Sequence, residues 1–528
     1  MMNTTQQTLP QLVRDAAKRF GADEALLDGD LSLSFAELEA RIKTTVRALM
    51  ASGVERGDRV AIWAPNIAEF VISALAIHSS GAVMVPINTR FKGAEAAYVI
   101  ERSQARMLFT VSDFLDIDYV HMLKDQPGID SIKETIVLRG GAPSGTTTFD
   151  DFLARAPSVS EHDATARIDA VQPNDLCHIL FTSGTTGSPK GVMLEHGPVC
   201  TTYSVLADVF DMRRGDRQLV VLPFFHSFGL HVGIVCSLIK GVTIIPHLVF
   251  DPVEVMKRIE AEKITLFPGP PAIFQAFADN PARTQFDLSS LRSATIGGSG
   301  FPPALVEFLH EEMNIPRVQS GYGLTESSGL VTLSSPPQSA EVIAYTAGCP
   351  IPGLEVRIID ADNNTLVQGD PGEVLVRGYN IMRGYLDDPV ETAKTIDPDG
   401  WLHTGDIGYF REDGNLVISD RKKDMFTSGG FNVYPAEVEK MIMTHPSILQ
   451  AAVVGVADHR MGEVGMVFIV PAAGASLNAE ELIAWARENM ANYKVPRHVR
   501  IVKELPMNAT GKVLKPQLRS LAAESLES

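Results

Sequence analysis

Between residues 181 and 191 the chain reads FTSGTTGSPKG. Glycines let a backbone come close to a ligand. The amides that such a turn exposes, with serine and threonine hydroxyls and the cation Lys190, make a nest for phosphate oxygens. The run is not the P-loop pattern GxxxxGK followed by Ser or Thr, because Pro189 precedes Lys190 and Gly191 follows it. The VMLE that comes next reads as a strand rather than the helix a P-loop opens, which weakens a kinase or GTPase reading. Taken alone, a run of this composition reads equally well as a surface turn.

The loop has company. In chain order come LPFFH (222–226), GYGLTE (321–326), WLHTGD (401–406), DRKKD (420–424), GGFNVYPAEVE (429–439) and LPMNATGKVLK (505–515). In this order and spacing the set resembles the adenylate-forming family of acyl-CoA synthetases, peptide-synthetase adenylation domains and luciferases, over nearly the whole chain.

The resemblance implies a role for each position. Thr182, Ser183, Gly184, Thr185, Thr186, Gly187 and Lys190 would grip the β- and γ-phosphates of ATP. Tyr322 offers an aromatic face for adenine, Thr325 a hydroxyl for the α-phosphate, and Glu326 a hard carboxylate for Mg²⁺. Gly297, Gly298 and Ser299 match the segment that flanks adenine and acyl chain; Asp406 matches the acceptor for the ribose hydroxyls and Arg421 the ribose and phosphate partner. Lys423 falls on the hinge, Lys512 on the lysine that contacts the carboxylate oxygen and the α-phosphate, and Gly429 and Gly430 on the path of the coenzyme A arm. His226 falls near the carboxylate and the nucleotide; positioning or gating suits it better than general-base work, because a carboxylate is already ionised at neutral pH. Read singly, each residue has a plainer explanation: a solvated loop cation for Lys423 or Lys512, a turn glycine for Gly430, a packed core ring for His226.

The implied chemistry is attack of an acid's carboxylate on the α-phosphorus of MgATP, giving acyl-AMP and pyrophosphate, with Mg²⁺, Lys190 and Lys512 offsetting the charge that repels an anionic nucleophile. The thiol of coenzyme A then takes the acyl group. With no carrier-protein or condensation module flanking these residues, a stand-alone ligase using free coenzyme A is expected, acting in fatty-acid, lipid or steroid breakdown. An acyl-AMP ligase with another acceptor, a luciferase-like oxygenase and a non-catalytic acyl-adenylate binder are the alternatives; joint presence of Lys190, Glu326, Asp406, Arg421 and Lys512 opposes the last. Around PFFHSFGLHVGI, IPHLVFDP, FPGPPAIFQ and DNPARTQFDLSSLR the chain is especially similar to bacterial ligases that activate the propanoate side chain of degraded steroid C/D rings. Medium- and long-chain fatty acyl ligases share much of this texture. The residues after His226, with 297–300 and 323–328, are the expected acyl pocket. Two departures from the family pattern stand out: Met507 where relatives carry a basic residue, and an aromatic hinge region, Phe426 and Phe431.

These loops need a scaffold. Ser34 and Glu37 have capping-box spacing, and Phe35, Leu38, Ile42, Val46 and Leu49 recur at helical intervals. Strand patterns (DRVAIWAP, AVMVPIN, RQLVVLP, GVTIIP, ITLFPG, SATIGG) alternate with helical ones (FVISALAIHSSG and 252–262), which predicts a doubly wound α/β assembly with parallel strands. GGAPSGTT reads as an exposed loop. From about 346 to 420 short strands (LEVRIID, GEVLVRG, GNLVISD) predict a small β-rich, barrel-like subdomain. The boundaries expected are 1–420 for the N-terminal AMP-binding domain, 421–424 for the hinge and 425–528 for a mobile α+β domain.

At 528 residues the chain is too long for one core. A net charge of −18 argues against a nucleic-acid surface, so any anionic ligand must meet local positive groups. Four cysteines without CxxC spacing suggest buried thiols rather than a disulfide framework or zinc knuckle. No run of about 18 apolar residues, no signal sequence and no SKL ending predict a cytoplasmic protein without a membrane span. Oligomeric state is not written in these features, and a homodimer is open.

Overall fold

The computed structural model describes residues 7–527 apart from 113, 116, 183–188, 298–300, 336, 422–423, 429–430, 459–460, 491 and 509–511; the side chains of 420, 421, 427, 431, 432 and 527 also fall outside the description. The chain divides into two compact units, Met1–Glu355 with Val376–Leu402, and Val356–Leu375 with His403–Ser528.

The first unit is built on two large sheets. One has eight strands in the order Gly384–Tyr385, Lys190–Glu195, Leu176–Thr182, Val83–Pro86, Arg59–Trp63, Met107–Thr110, Glu134–Val137, Thr147–Thr148. Its inner strands pair in parallel and bury both faces, and Val83–Pro86 and Met107–Thr110 are buried at every residue, as a sheet covered by helices on both sides requires. The other has nine strands, with Arg217–Val220, Thr243–Pro246, Leu266–Gly269, Ser293–Gly297 and Arg317–Tyr322 parallel at its centre. The helix Phe35–Ala51 starts at the Ser34–Glu37 capping box and buries Phe35, Leu38, Ile42, Val46 and Leu49; Pro252–Glu262 has the bounds its sequence predicts.

The sheets are mixed rather than wholly parallel. Leu176–Thr182 and Lys190–Glu195 pair antiparallel, and so do Arg317–Tyr322 and Thr332–Leu333. Between Thr182 and Lys190 the chain is too short for a helical crossover, which takes a dozen or more residues, so it can only double back.

In the second unit Glu355–Ile359, Gly372–Arg377, Leu402–Phe410 and Leu416–Arg421 form a four-stranded sheet. A five-stranded sheet follows, dominated by the antiparallel pair Ile448–Asp458 and Gly462–Pro471, with helices Pro435–Ile442, Ala479–Asn489 and Lys515–Glu527. The aromatic Phe426 is a packing residue here. It is buried, and a Cβ on Gly455 or Gly465 would stand 2.5 or 3.3 Å from it. Cys177, Cys200 and Cys236 are buried free thiols, while Cys349 is half-buried. Among the described residues no helix is long and apolar enough to cross a membrane.

Candidate active site

In the first unit the glycine-rich loop is strung between two paired strands. Thr182 ends one, Lys190 opens the other, and the two residues are register partners. Ser183, Gly184, Thr185, Thr186 and Gly187 lie outside the described residues. The short strand Gly384–Tyr385 adds to the outer edge of Lys190–Glu195, with Tyr385 opposite Val192 and Leu386 N–H donating to Gly191 O at 2.8 Å. This pairing brings the Tyr385 ring to Lys190, whose Nζ lies 5.2 Å from the ring centroid. Lys190 Nζ also bonds Glu391 at 2.5 Å, with side-chain exposures of 14% and 23%. That bond holds the Glu391 carboxyl below the usual carboxylate range. A cavity of about 100 Å³ adjoins the group, lined by Tyr98, Phe181, Pro189, Lys190, Tyr385 and Asp388 among others.

GYGLTE follows directly from a central strand. Gly297 and Gly321 are register partners at the ends of neighbouring strands, and Tyr322 closes the second of these. The chain then turns so tightly that a Cβ on Gly323 would stand 2.4 Å from Gly329 O, and Thr325–Ser327 forms one 3₁₀ turn. Two buried side chains hold that turn. Asn380 Nδ2 donates to Ser327 O at 3.1 Å and Leu330 O at 2.6 Å, and Tyr203 O–H donates to Ser328 O at 3.0 Å. Glu326 Oε1 accepts from Tyr385 O–H at 2.9 Å. A carboxylate tied through Tyr385 to the ring beside Lys190, with Oε2 left over, is a donor suited to Mg²⁺, which usually keeps its waters and binds through one or two carboxylates plus substrate phosphates. Among the described residues there is no cluster of three or more His, Cys, Asp or Glu that would hold a metal ion without substrate.

His226 is half-buried just before a π-helical run, Phe228–Val235, a geometry that is rare and concentrated at functional sites. Phe228 N–H donates to His226 Nδ1 at 3.2 Å, which puts a neutral ring's proton on Nε2. Gly229 is required there, since a Cβ would lie 2.3 Å from Pro223 O. The Phe228 ring lies against Gly297, where a Cβ would come to 3.1 Å, so two of the segments expected around the acyl chain pack on each other. Gly298 and Ser299 lie outside the described residues.

In the second unit Asp406 is buried, its N–H donates to Thr404 Oγ1 at 3.1 Å, and it is the register partner of Arg421 across an antiparallel pair. The two residues are thus backbone neighbours across the pair. Lys512 is exposed on a turn closed at both ends: its N–H donates to Asn508 Oδ1 at 2.9 Å, and Asn508 N–H donates to Lys512 O at 2.8 Å. Met507, bridged to Val513, is 41% exposed. Lys423, Gly429 and Gly430 lie outside the described residues.

Tyr385, Glu391, Asn380 and Tyr203 are absent from any motif the sequence reading singled out. The one available signal is GYL followed by an Asp388-capped helix with proline at its first position, Pro389–Thr395, a pattern that also describes an ordinary strand-to-helix turn.

The AMP-binding enzyme family matches residues 13–386, and its C-terminal domain matches residues 437–512. The chain is 43% identical to the 3-[(3aS,4S,7aS)-7a-methyl-1,5-dioxo-octahydro-1H-inden-4-yl]propanoyl:CoA ligase of Rhodococcus jostii (strain RHA1), over 97% of this chain and 98% of that one. It is 44% identical to the Mycobacterium tuberculosis (strain ATCC 25618 / H37Rv) ligase of the same name, over 98% and 99%. Among solved structures, the anthranilate CoA ligase AuaEII in complex with anthranoyl-AMP matches with a TM-score of 0.89 at 26% identity, covering 100% of both chains. With these matches spanning nearly its full length, the chain belongs to the AMP-binding enzymes, within their acyl-CoA ligase branch.

Proposed function

We propose that this acyl-CoA ligase activates a propanoate carried on a bulky alicyclic body, the kind of acid left by steroid-ring breakdown. A medium- or long-chain fatty acid is the second reading. The observation that carries the nucleotide half of the reaction is the meeting, within one unit, of Lys190 and Glu326 through Tyr385: a cation for phosphate over its ring and a hard carboxylate at its hydroxyl. The acid half rests on the identity to the two propanoyl:CoA ligases and on the Gly297–Phe228 contact.

In this reading Thr182, the 183–187 loop and Lys190 hold the β- and γ-phosphates. Tyr322 stacks on adenine, Thr325 bonds the α-phosphate, and Asp406 and Arg421 take the ribose. Bound Mg²⁺, held by Glu326, would neutralise phosphate charge. The acid's carboxylate oxygen bonds to the α-phosphorus as the bond to pyrophosphate breaks, with Lys512 against the developing charge and His226 positioning the carboxylate. The thiol of coenzyme A then attacks the acyl carbon, the bond to AMP breaks, and the thiol proton leaves to solvent. Residues 421–424 serve as the hinge, Lys423 included, with 425–528 as the mobile part and Gly429 and Gly430 on the coenzyme A path. A cytoplasmic location and a homodimer complete the proposal.

A panel of acids tests it, from acetate through long-chain fatty acids to aryl and bicyclic ring propanoates, assayed for pyrophosphate and AMP with and without coenzyme A. The bicyclic propanoates should give the highest kcat/KM, dependent on coenzyme A. Preference for straight chains replaces the acid, and turnover only with another acceptor replaces the coenzyme A half.

A further inference from the structure

Lys190 and Glu326 belong to separate motifs of opposite charge, and one side chain touches both. Tyr385 is buried, at 8% exposure, and its place is fixed by backbone: the strand Gly384–Tyr385 pairs with Lys190–Glu195. Its ring faces the Lys190 ammonium, a favourable cation–π arrangement at 5.2 Å. Its hydroxyl donates to Glu326 Oε1 at 2.9 Å and leaves Oε2. Across the ammonium stands Glu391, whose own N–H bonds the Asp388 carboxylate at the start of its helix at 3.0 Å.

A phenol whose only task is to fill a core needs one partner for its hydroxyl. This one sets the carboxylate expected to bind the metal and, through its face, the cation expected to bind the phosphates. We propose that Tyr385 is a positioning residue for the metal–nucleotide complex: its hydroxyl orients the Glu326 carboxylate that would hold Mg²⁺, and its ring holds Lys190 where that residue opens the strand Lys190–Glu195. The proposal rests on the nucleotide reading of Lys190 and Glu326 given above.

The two roles separate by substitution. Tyr385→Phe keeps the ring and removes the hydroxyl; Tyr385→Leu removes both. The probes are a non-hydrolysable α,β-methylene ATP analogue and Mn²⁺ in place of Mg²⁺, with Mn²⁺ binding read by electron paramagnetic resonance and analogue binding by calorimetry, with and without metal. For Tyr385→Phe, Mn²⁺ affinity in the presence of the analogue should fall roughly tenfold, the scale of one hydrogen bond to a charged group, while metal-free analogue affinity stays within about twofold. For Tyr385→Leu both should fall. Glu326→Gln is the control for the underlying reading and should remove most of the Mn²⁺ binding. If Glu326→Gln loses the metal while Tyr385→Phe binds it as tightly as the unaltered protein, the positioning role is wrong and the nucleotide site stands. If Glu326→Gln keeps the metal, both are wrong. Equal losses of metal and nucleotide in Tyr385→Phe, with a lowered thermal midpoint, would show a packing role only.

Discussion

Lys512 stands exposed where Asn508 bonds both its N–H and its carbonyl, so its side chain lies outside the buried core. Truncation there should spare folding and strike one half of the reaction. Lys512→Ala is expected to lower acyl-AMP formation by at least about a hundredfold, the scale of losing one group that stabilises developing charge. Transfer from supplied acyl-AMP to coenzyme A should stay within about threefold by the same argument, since that step needs no such cation. Parallel assays of pyrophosphate release and thioester formation decide it, and loss of both would sink the two-step assignment. Tyr385 and Glu391 were not legible at this scale. Their partners are 59 and 201 residues away in sequence, and no local spacing encodes a contact made by strand addition.

Among the elements, helices and strands with strong periodicity were legible because one buried face dictates their pattern, as in Phe35–Ala51 and Pro252–Glu262. Two features were not. In FGLHVGIV, buried at all but its first residue, an apolar run with no polar face gives no period from which to tell a π-helical run from an α-helix. The antiparallel pairings beside the loops depend on connection length, which the strand patterns do not carry. The 3₁₀ turn Thr325–Ser327 illustrates what such elements rest on. Asn380, fully buried, donates to two of the carbonyls around it. Asn380→Ala leaves Leu330 O unpaired and takes one of two donors from Ser327 O, which keeps Leu330 N–H at 3.3 Å, and should cost about 1–3 kcal/mol. A urea titration followed by tryptophan fluorescence should show an earlier midpoint, together with a raised KM for ATP as the turn carrying Thr325 and Glu326 loosens; an unchanged midpoint discards the account.

Over the whole molecule the least expected feature is a core containing four histidines. His78, His178, His196 and His231 are buried; His78 Nε2 lies 3.1 Å from His178 Nδ1, and the His231 ring lies 5.0 Å from that of His178 and 4.6 Å from Tyr203. Both ring nitrogens of His231 lack a partner among the described residues, and Leu9 N–H donates to His196 Nδ1. Burial pushes all four below the usual histidine value, His196 to about 4 and His231 to about 3, with Asp175 opposing the shift at His196. The unfolded chain therefore binds more protons than the folded one below pH of about 6.5, so stability is full above that value and is lost as pH falls. At pH 5 each such histidine costs about 2 kcal/mol. The thermal midpoint should drop steeply between pH 6.5 and 5, before most carboxylates titrate, and His231→Met should flatten the slope by about one proton; a flat profile refutes this. Spread from residue 78 to 231, these rings share no spacing that marks them as neighbours, and the strands and helices that bring them together are what the sequence leaves unstated. The ion pair of Lys190 with Glu391 has a further effect at this scale. The chain carries −18, and ATP, coenzyme A and the acid are all anions. Because Lys190 is already matched by a carboxylate, it projects little field to offset that charge. Its attraction at long range therefore contributes little to capture, and Lys190 acts on an anion only inside the last screening length, about 8 Å in physiological salt, where shape and hydrogen bonds rather than bulk charge select what it meets.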